Sequence, residues 1–295
     1  MCYTKQSIYS QGLNVGKIIR QIIMAMLFMA FCFAIPLKTA IATPNSQIQR
    51  WSQANVVYLG EHHDSPEDHV AELAILEQLY KESPKLEIGM EMFQRPFQEA
   101  LDDYLAGTID AIALQEQTEY ANRWGFDWNY YAPILEFAKA HQLEVKALNT
   151  PLEITYKVGQ AGLDSLDSED FQWIPAKSQL DLSNDAYRDR IKTLYESFHH
   201  GKGNSDNFEH FYQAQILWDE TMADAIATEV AQHPQTTFVS LVGAGHILYG
   251  DGIPNRVQKR VSQDHFQQYS VQINPDSEHQ DGTEESWFND PSSDA

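Results

Sequence analysis

The stretch Asn55-Val56-Val57-Tyr58-Leu59-Gly60-Glu61-His62-His63-Asp64 decides the fold, because an apolar run ends there in a glycine and four titratable side chains. A helical pattern begins directly afterwards, with Asp64 or Ser65 in position to cap it and Pro66 in its first turn. This order predicts a strand, a turn and a helix, with polar side chains at the carboxyl end of the strand. Open α/β sheets build their sites at such strand ends.

A second stretch far along the chain repeats this pattern. Thr237-Phe238-Val239-Ser240-Leu241-Val242-Gly243-Ala244-Gly245-His246 also runs from a buried-type strand into the spacing Gly-x-x-His. The two stretches end in His63 and His246. If their strands are neighbours in one sheet, the two histidines can meet in one crevice.

Strand and helix patterns alternate between these two stretches. Apolar residues at helical spacing predict a helix over 67–82, and further strands are predicted at 85–92 and 143–149. Only helical periodicity fills the segment from about 151 to 233. The sequence therefore predicts an α/β domain over 43–274, a mainly parallel sheet covered by helices on both faces. A helical insertion subdomain is expected between the third and fourth strands.

The two ends of the chain differ from this domain. Residues 1–42 combine basic residues, an apolar run and Ala40-Ile41-Ala42, which is the pattern of a secretory signal peptide. We therefore expect export to the periplasm or cell envelope, with a retained N-terminal anchor as the alternative. A lipid anchor at Cys32 is disfavoured because the bulky Phe31 precedes it, where processing needs a small residue. Residues 275–295 are acidic, contain no lysine or arginine, and are expected to be disordered.

Composition excludes several classes of function. The formal net charge of -22 argues against nucleic acid or an anionic membrane surface as a partner. Both cysteines, Cys2 and Cys32, lie in the predicted signal peptide. The mature chain would then contain neither a disulfide nor a catalytic thiol.

Four polar residues at predicted strand ends are candidates for one site. Glu61 and His63 follow the first strand, Glu91 ends the second, and His246 follows the fourth. Two carboxylates and two imidazoles could bind a divalent cation such as Zn²⁺, Mn²⁺ or Co²⁺. They could equally act as acid and base on a hydrolysed bond. The structural alternative is that the carboxylates only cap helices or form ion pairs.

The predicted insertion carries a second set of candidates, which are aromatic residues and histidines: Tyr187, Tyr195, Phe198, His199, His200, His210 and Tyr212. A haem site needs an axial ligand and apolar cover, and side chains of these types provide both. The alternative is that Tyr195 belongs to a core and that the pair His199-His200 lies at a solvated helix end.

Seven segments, in order and with suitable gaps, resemble one known family, the ChaN proteins. They are Val57–Asp64, Gly89–Phe93, Trp124–Asp127, Pro133–Ala138, Ala147–Asn149, Ala214–Met222 and Gly243–His246. ChaN proteins are exported haem-binding proteins in a superfamily with Tiki metalloproteases, TraB proteins and erythromycin esterases. The resemblance implies an α/β core with a helical part and a role in haem or iron acquisition, with uptake components of the cell envelope as partners. It also implies that a homodimer holds haem between its protomers.

The resemblance also assigns residues to roles. The site shared across the superfamily corresponds to Glu61, His63, Glu91 and His246, which serve metal binding or acid–base chemistry in the enzymatic relatives. A metal-dependent hydrolase is therefore the alternative function. In ChaN proteins a tyrosine or histidine of the helical part binds haem, and the matching candidates here are Tyr195, His199 and His200.

Overall fold

The computed structural model describes residues 44–198, 207–275, 282–283 and 285–287. Within these residues one parallel sheet contains six strands: β1 Val56–Glu61, β2 Leu86–Gln94, β3 Glu144–Asn149, β4 Thr237–Gly243, β5 Gln268–Ile273 and β6 Glu285–Trp287. Their order across the sheet is β3-β2-β4-β1-β5-β6. The predicted α/β fold is confirmed, and β4 lies between β1 and β2.

Helices fill the connections between the strands. They are α1 Pro44–Trp51, α2 Pro66–Glu82, α3 Gln98–Ala106, α4 Ala111–Gln117, α5 Tyr120–Arg123, α6 Trp128–His141, α7 Leu152–Ala161, α8 Asp185–Phe198, α9 Phe208–Gln232 and α10 Ile253–Arg260. A short 3₁₀ turn, Ala244–His246, follows β4. At the start of α2 the cap is Ser65, whose side chain accepts a hydrogen bond from the Asp68 amide.

The strand β1 is buried on both faces, which explains its continuous apolar sequence. Val57 and Leu59 face a core formed with α2, α3 and α6. Val56 and Tyr58 face a second core formed with α9 and α10. Helices therefore cover both faces of the sheet, as predicted.

The helical insertion lies between β3 and β4, as predicted, and contains α7, α8 and α9. Two small clusters of buried residues hold it together. One joins Ile154 and Val158 of α7 to Leu217 of α9. The other joins Tyr187 of α8 to Tyr212 of α9. Because α9 also packs on the sheet, this helix carries side chains of the insertion toward the strand ends.

Part of the acidic C-terminal segment differs from the expected disorder, since residues 285–287 form β6 beside β5. The reason is pairing with α1. The Glu285 carboxylate accepts hydrogen bonds from the Trp51 indole at 3.0 Å and from Arg50 at 3.1 Å. The Trp287 ring lies 6.0 Å from that of Trp51. The predicted signal peptide over 1–42, with Cys32, and most of the remaining tail lie outside the described residues.

None of the helices in the described residues combines the length and the apolar character that a membrane span requires.

Candidate functional site at the strand ends

The carboxyl ends of β1, β2 and β4 bring together the four residues predicted from the sequence. Glu61 is the last residue of β1 and pairs in register with Gly243, the last residue of β4. Glu91 lies near the end of β2, on the other side of β4. The 3₁₀ turn after β4 then places His246 above these ends. The four side chains form one cluster at the strand ends, because β1, β4 and β2 are neighbours in the sheet.

His63 is held by a buried carboxylate. Its Nδ1 lies 2.6 Å from Glu61 Oε1, and because a carboxylate only accepts, Nδ1 carries the proton and donates it. Tyr131 of α6 donates its hydroxyl to the same oxygen at 2.8 Å. Burial by itself would lower the pKa of His63, but the hydrogen bond to Glu61 and the charges of Glu91 and Glu61 raise it. In the neutral ring this tautomer puts the lone pair on His63 Nε2.

His246 is held in the same way from the insertion. Its Nδ1 lies 2.6 Å from Asp219 Oδ1, and Tyr187 donates its hydroxyl to Asp219 Oδ2 at 2.6 Å. Asp219 is fully buried on α9. Burial would lower the pKa of His246, but the charge of Glu91 and the hydrogen bond to Asp219 raise it to about 10. His246 is therefore an imidazolium near neutral pH.

Glu91 lies between the two histidines. Its Oε2 accepts the Gly243 amide at 2.7 Å, and its Oε1 lies 3.4 Å from His246 Nε2. Burial would raise the pKa of Glu91, but the charge of His246 and its hydrogen bond, with smaller contributions from His63 and the Gly243 amide, lower it to about 2. Glu91 is therefore ionised and forms a buried ion pair with His246.

The glycine at the end of β4 is required by close packing. A Cβ atom at Gly243 would lie 2.7 Å from His63 Nε2, which is too close for a side chain. Trp124 and Phe126 cover the other side of His63, with ring centroids at 4.7 and 5.1 Å. The imidazole is thus confined between the backbone of β4 and an aromatic wall, yet its side chain remains 26% exposed. That exposure leaves it accessible to a ligand.

The neighbouring His62 makes its contacts outside this cluster. Its Nδ1 lies 2.9 Å from Asp68 Oδ2, and its own amide donates to the same oxygen at 2.8 Å. It therefore joins the start of α2 and takes no part in the strand-end site.

The chemistry this arrangement can perform is acid–base chemistry. Two imidazoles, each oriented by a buried carboxylate and a tyrosine hydroxyl, flank a third carboxylate. Such pairs fix the tautomer of a histidine and hold it ready to transfer protons. The catalytic role of the four residues stays a prediction.

The spacing of ligand atoms does not favour a metal on these four residues. Among the described residues, the sets of three whose ligand atoms lie within 4.8 Å of one another are Glu61–His69–Glu72 and Glu87–Glu229–His233. Neither set includes His63, Glu91 or His246. The predicted divalent-cation site at the strand ends is therefore not confirmed.

The predicted haem ligands lie elsewhere, in the insertion. Tyr195 is half-buried on α8, where its ring packs against Phe208 at 5.5 Å and Phe211 at 5.2 Å. His199 and His200 lie outside the described residues. The role of Tyr195 stays a prediction.

Three residues of the strand-end site were not predicted to belong to it: Asp219, Tyr187 and Tyr131. Asp219 carried a usable signal, because it lies within the apolar stripe of a long helix, where an unpaired charge is costly. Tyr187 was a candidate of the haem set, whereas the structure places its hydroxyl on Asp219. Tyr131 carried no signal, since a tyrosine at helical spacing is ordinary core.

Comparisons with known proteins agree with this fold. A family model described as haem-binding uptake, Tiki superfamily, ChaN matches residues 47–257. The structure is similar to that of ChaN of Campylobacter jejuni, described with cofacial haem binding. The identity is 17% and the TM-score is 0.65, over 82% of this chain and 90% of that chain.

Two further solved structures are similar to this chain only at TM-scores below 0.5, which is too low to support an inference about it. The toxin effector domain RRSP of Vibrio vulnificus gives 0.46 at 14% identity, over 85% of this chain and 39% of that one. An erythromycin esterase variant in its open conformation gives 0.44 at 14% identity, over 76% and 70%. No curated protein sequence matches the chain.

Proposed function

The chain belongs to the haem-binding uptake family of the Tiki superfamily, the ChaN family, and from this premise we propose that it is an exported haem-binding protein of haem or iron acquisition. The observation that carries the proposal is the family match over 47–257, which spans both the sheet and the helical insertion. Uptake components of the cell envelope are its expected partners.

The proposed haem ligand is Tyr195, with His199 and His200 as the neighbouring candidates. A phenolate oxygen can serve as the axial ligand of a haem iron, and aromatic rings cover the macrocycle. Phe208 and Phe211 provide such rings beside Tyr195.

A cation for the haem carboxylates lies next to the same aromatic rings. The guanidinium of Arg188 lies 5.0 Å from the centroid of the Phe208 ring and also pairs with Glu209. A haem propionate could take the place of Glu209 in that pair, because both groups are carboxylates. The insertion thus offers a ligand, aromatic cover and a counter-charge in one region.

Titration with hemin tests the proposal. The purified protein is expected to give a saturable Soret shift, and Tyr195→Phe or the double variant His199→Ala/His200→Ala to abolish or displace it. Tyr80→Phe, on α2 and away from the insertion, is the matched control and should bind like the wild type. Absence of saturable binding at micromolar protein would overturn the proposal.

A homodimer that holds haem between two protomers is part of the same proposal. It predicts that sedimentation of the protein shifts from monomer to dimer on addition of hemin, and that the Tyr195→Phe variant does not shift. If the protein stays monomeric when it is saturated with haem, the homodimer is refuted and haem binding still stands.

Export is tested separately. Expression of the whole chain in a bacterial host should yield a periplasmic or envelope protein whose intact mass corresponds to cleavage after Ala42. A full-length mass in the membrane fraction would indicate a retained anchor, and a cytoplasmic product would refute export.

A second candidate function, hydrolysis at the strand ends, is proposed because two oriented histidines lie beside Glu91 in one cluster. The His63 Nε2 atom would act as the base on water, and the His246 imidazolium as the acid toward the leaving group. Assays with panels of esters and peptides test this, with His63→Ala and His246→Ala as variants and Tyr80→Phe as control. Turnover that persists in both histidine variants would refute it.

A further inference from the structure

Three titratable side chains lie buried behind His63, between β1 and α2. They are Glu61, His69 and Glu72, whose side chains are 0%, 2% and 0% exposed. His69 Nδ1 lies 3.5 Å from Glu61 Oε2 and 3.1 Å from Glu72 Oε2. Neither haem binding nor the acid–base chemistry proposed above uses His69 or Glu72.

The hydrogen bond of the other ring nitrogen fixes the tautomer of His69. Its Nε2 lies 3.2 Å from the carbonyl oxygen of His63, and because a carbonyl only accepts, Nε2 carries a proton. In a neutral imidazole, Nδ1 then has a lone pair, which faces the two carboxylates. Lone pair and carboxylate oxygens repel one another unless a cation lies between them.

The carboxylates show the same need for positive charge. Glu61 Oε2 and Glu72 Oε1 are buried and have no hydrogen-bond partner. Burial, together with the charge of Glu61, raises the pKa of Glu72 well above its ordinary value. Either a proton on Glu72 or a divalent cation held by all three side chains would relieve this repulsion.

A single proton on Glu72 can be donated either to His69 Nδ1 or to Glu61 Oε2, so it satisfies only one of these contacts. A single divalent ion contacts all three side chains at once. Bonds of about 2.0–2.1 Å to a four-coordinate ion put neighbouring ligand atoms ~3.3 Å apart, which fits the two spacings given above.

The surroundings also match a bound metal. A metal-binding histidine usually donates its other N–H to a carbonyl or carboxylate, as His69 does to His63. The ring of Tyr130 stacks on His69 at 4.7 Å, and Tyr131 contacts it edge-on at the same distance. These contacts hold the imidazole of His69 in its orientation.

We propose that Glu61, His69 and Glu72 bind one divalent cation of the zinc class. The cation would bind Glu61 through Oε2, while Oε1 keeps its hydrogen bonds to His63 and Tyr131. Its role is to fix Glu61 and, through Glu61, the orientation of His63. The site shares Glu61 with the cation site predicted at Glu61, His63, Glu91 and His246, but its other two ligands, His69 and Glu72, differ.

The second cluster with suitable spacing, Glu87–Glu229–His233, does not carry the same inference. Lys146 Nζ lies 3.3 Å from Glu229 Oε2 and already provides positive charge there. The side chain of His233 is 37% exposed, so water reaches that cluster.

Metal analysis of the whole protein tests the proposal. After loading with Zn²⁺ or Co²⁺ and dialysis, the wild type is expected to retain one ion per chain. The Co²⁺ form should show the visible absorption bands of a four-coordinate ion. Glu72→Gln and His69→Gln should each weaken Co²⁺ binding at least about tenfold. Glu91→Gln and Glu87→Gln are the matched controls and should bind as the wild type does.

The Glu72→Gln variant also separates a bound metal from a proton on Glu72, because its amide imitates a protonated carboxyl group and cannot provide a carboxylate ligand. A folded wild type that retains no ion would overturn the proposal, as would an ion whose binding is lost in Glu91→Gln but kept in Glu72→Gln. If Glu72→Gln or His69→Gln fails to fold, thermal unfolding of the wild type still tests the proposal. Chelation should lower its melting temperature and Zn²⁺ should restore it, and an unchanged melting temperature would count against the site.

Discussion

Replacing His246 with glutamine should remove a pH-dependent part of the free energy of unfolding. In the folded chain His246 is 9% exposed and its pKa is about 10, whereas its ordinary value is 6.5. A group whose folded pKa is raised stabilises the fold fully below its unfolded pKa, and this contribution is lost as the pH rises through the folded pKa. The wild type should therefore lose stability from about pH 6.5 toward about pH 10.

The size of this loss of stability follows from the one proton that His246 binds more tightly in the folded chain than in the unfolded chain. Each pH unit above the unfolded pKa of His246 lowers the free energy of unfolding by ~1.4 kcal/mol, so the loss between about pH 6.5 and about pH 9 is about 3 kcal/mol. Glu91 adds nothing in this range. Its folded pKa is about 2, against an ordinary 4.5, so its contribution is present above 4.5 and is lost only as the pH falls through 2.

Urea unfolding followed by tryptophan fluorescence measures this effect in the metal-free and haem-free protein. The free energy difference between the wild type and His246→Gln should shrink steadily as the pH rises through this range. His141→Gln, at an exposed histidine on α6, is the control and should run parallel to the wild type. Parallel curves for the wild type and His246→Gln would refute the raised pKa of His246.

Three further perturbations test the packing around the site. Tyr131→Phe removes a hydroxyl donor from the buried Glu61 and should cost about 1–3 kcal/mol in urea unfolding, so an unchanged stability would contradict the hydrogen bond. Gly243→Ala puts a methyl group 2.7 Å from His63 Nε2 and should lower the free energy of unfolding by about 1–3 kcal/mol. It should also shift the imidazole signals of His63 in NMR spectra, and unchanged signals would contradict this close packing. Glu220→Gln leaves two arginines of α10 without their buried carboxylate and should lower the free energy of unfolding by on the order of 3–5 kcal/mol. A melting temperature equal to that of the wild type would argue against these ion pairs.

Local patterns predicted the five strands of the sheet up to β5, but not β6, and they predicted four residues of the strand-end site. Buried strands are continuous apolar runs, and β1 and β4 each run into the spacing Gly-x-x-His at their carboxyl ends. The alternation of strands and helices predicts a parallel sheet, because parallel strands need helical crossovers. Glu61, His63, Glu91 and His246 could be named from these ends alone, since the carboxyl ends of parallel strands lie at one edge.

The groups that set the chemistry of the two histidines could not be found in that way. Asp219 and Tyr187 come from the insertion, and Tyr131 comes from a helix on the other face of the sheet. Their contacts depend on how helices pack on the sheet, which periodicity does not encode. The same holds for His69 and Glu72, which by sequence are ordinary polar residues of α2.

The sequence by itself determined that strand ends would carry carboxylates and imidazoles at one edge of an α/β sheet. Only the tertiary structure decided that β4 lies between β1 and β2, and which buried carboxylate each histidine meets. The physical reason is that a strand or helix is specified by neighbours along the chain. A buried charge is stable only beside a partner that the fold brings from a distant part of the sequence.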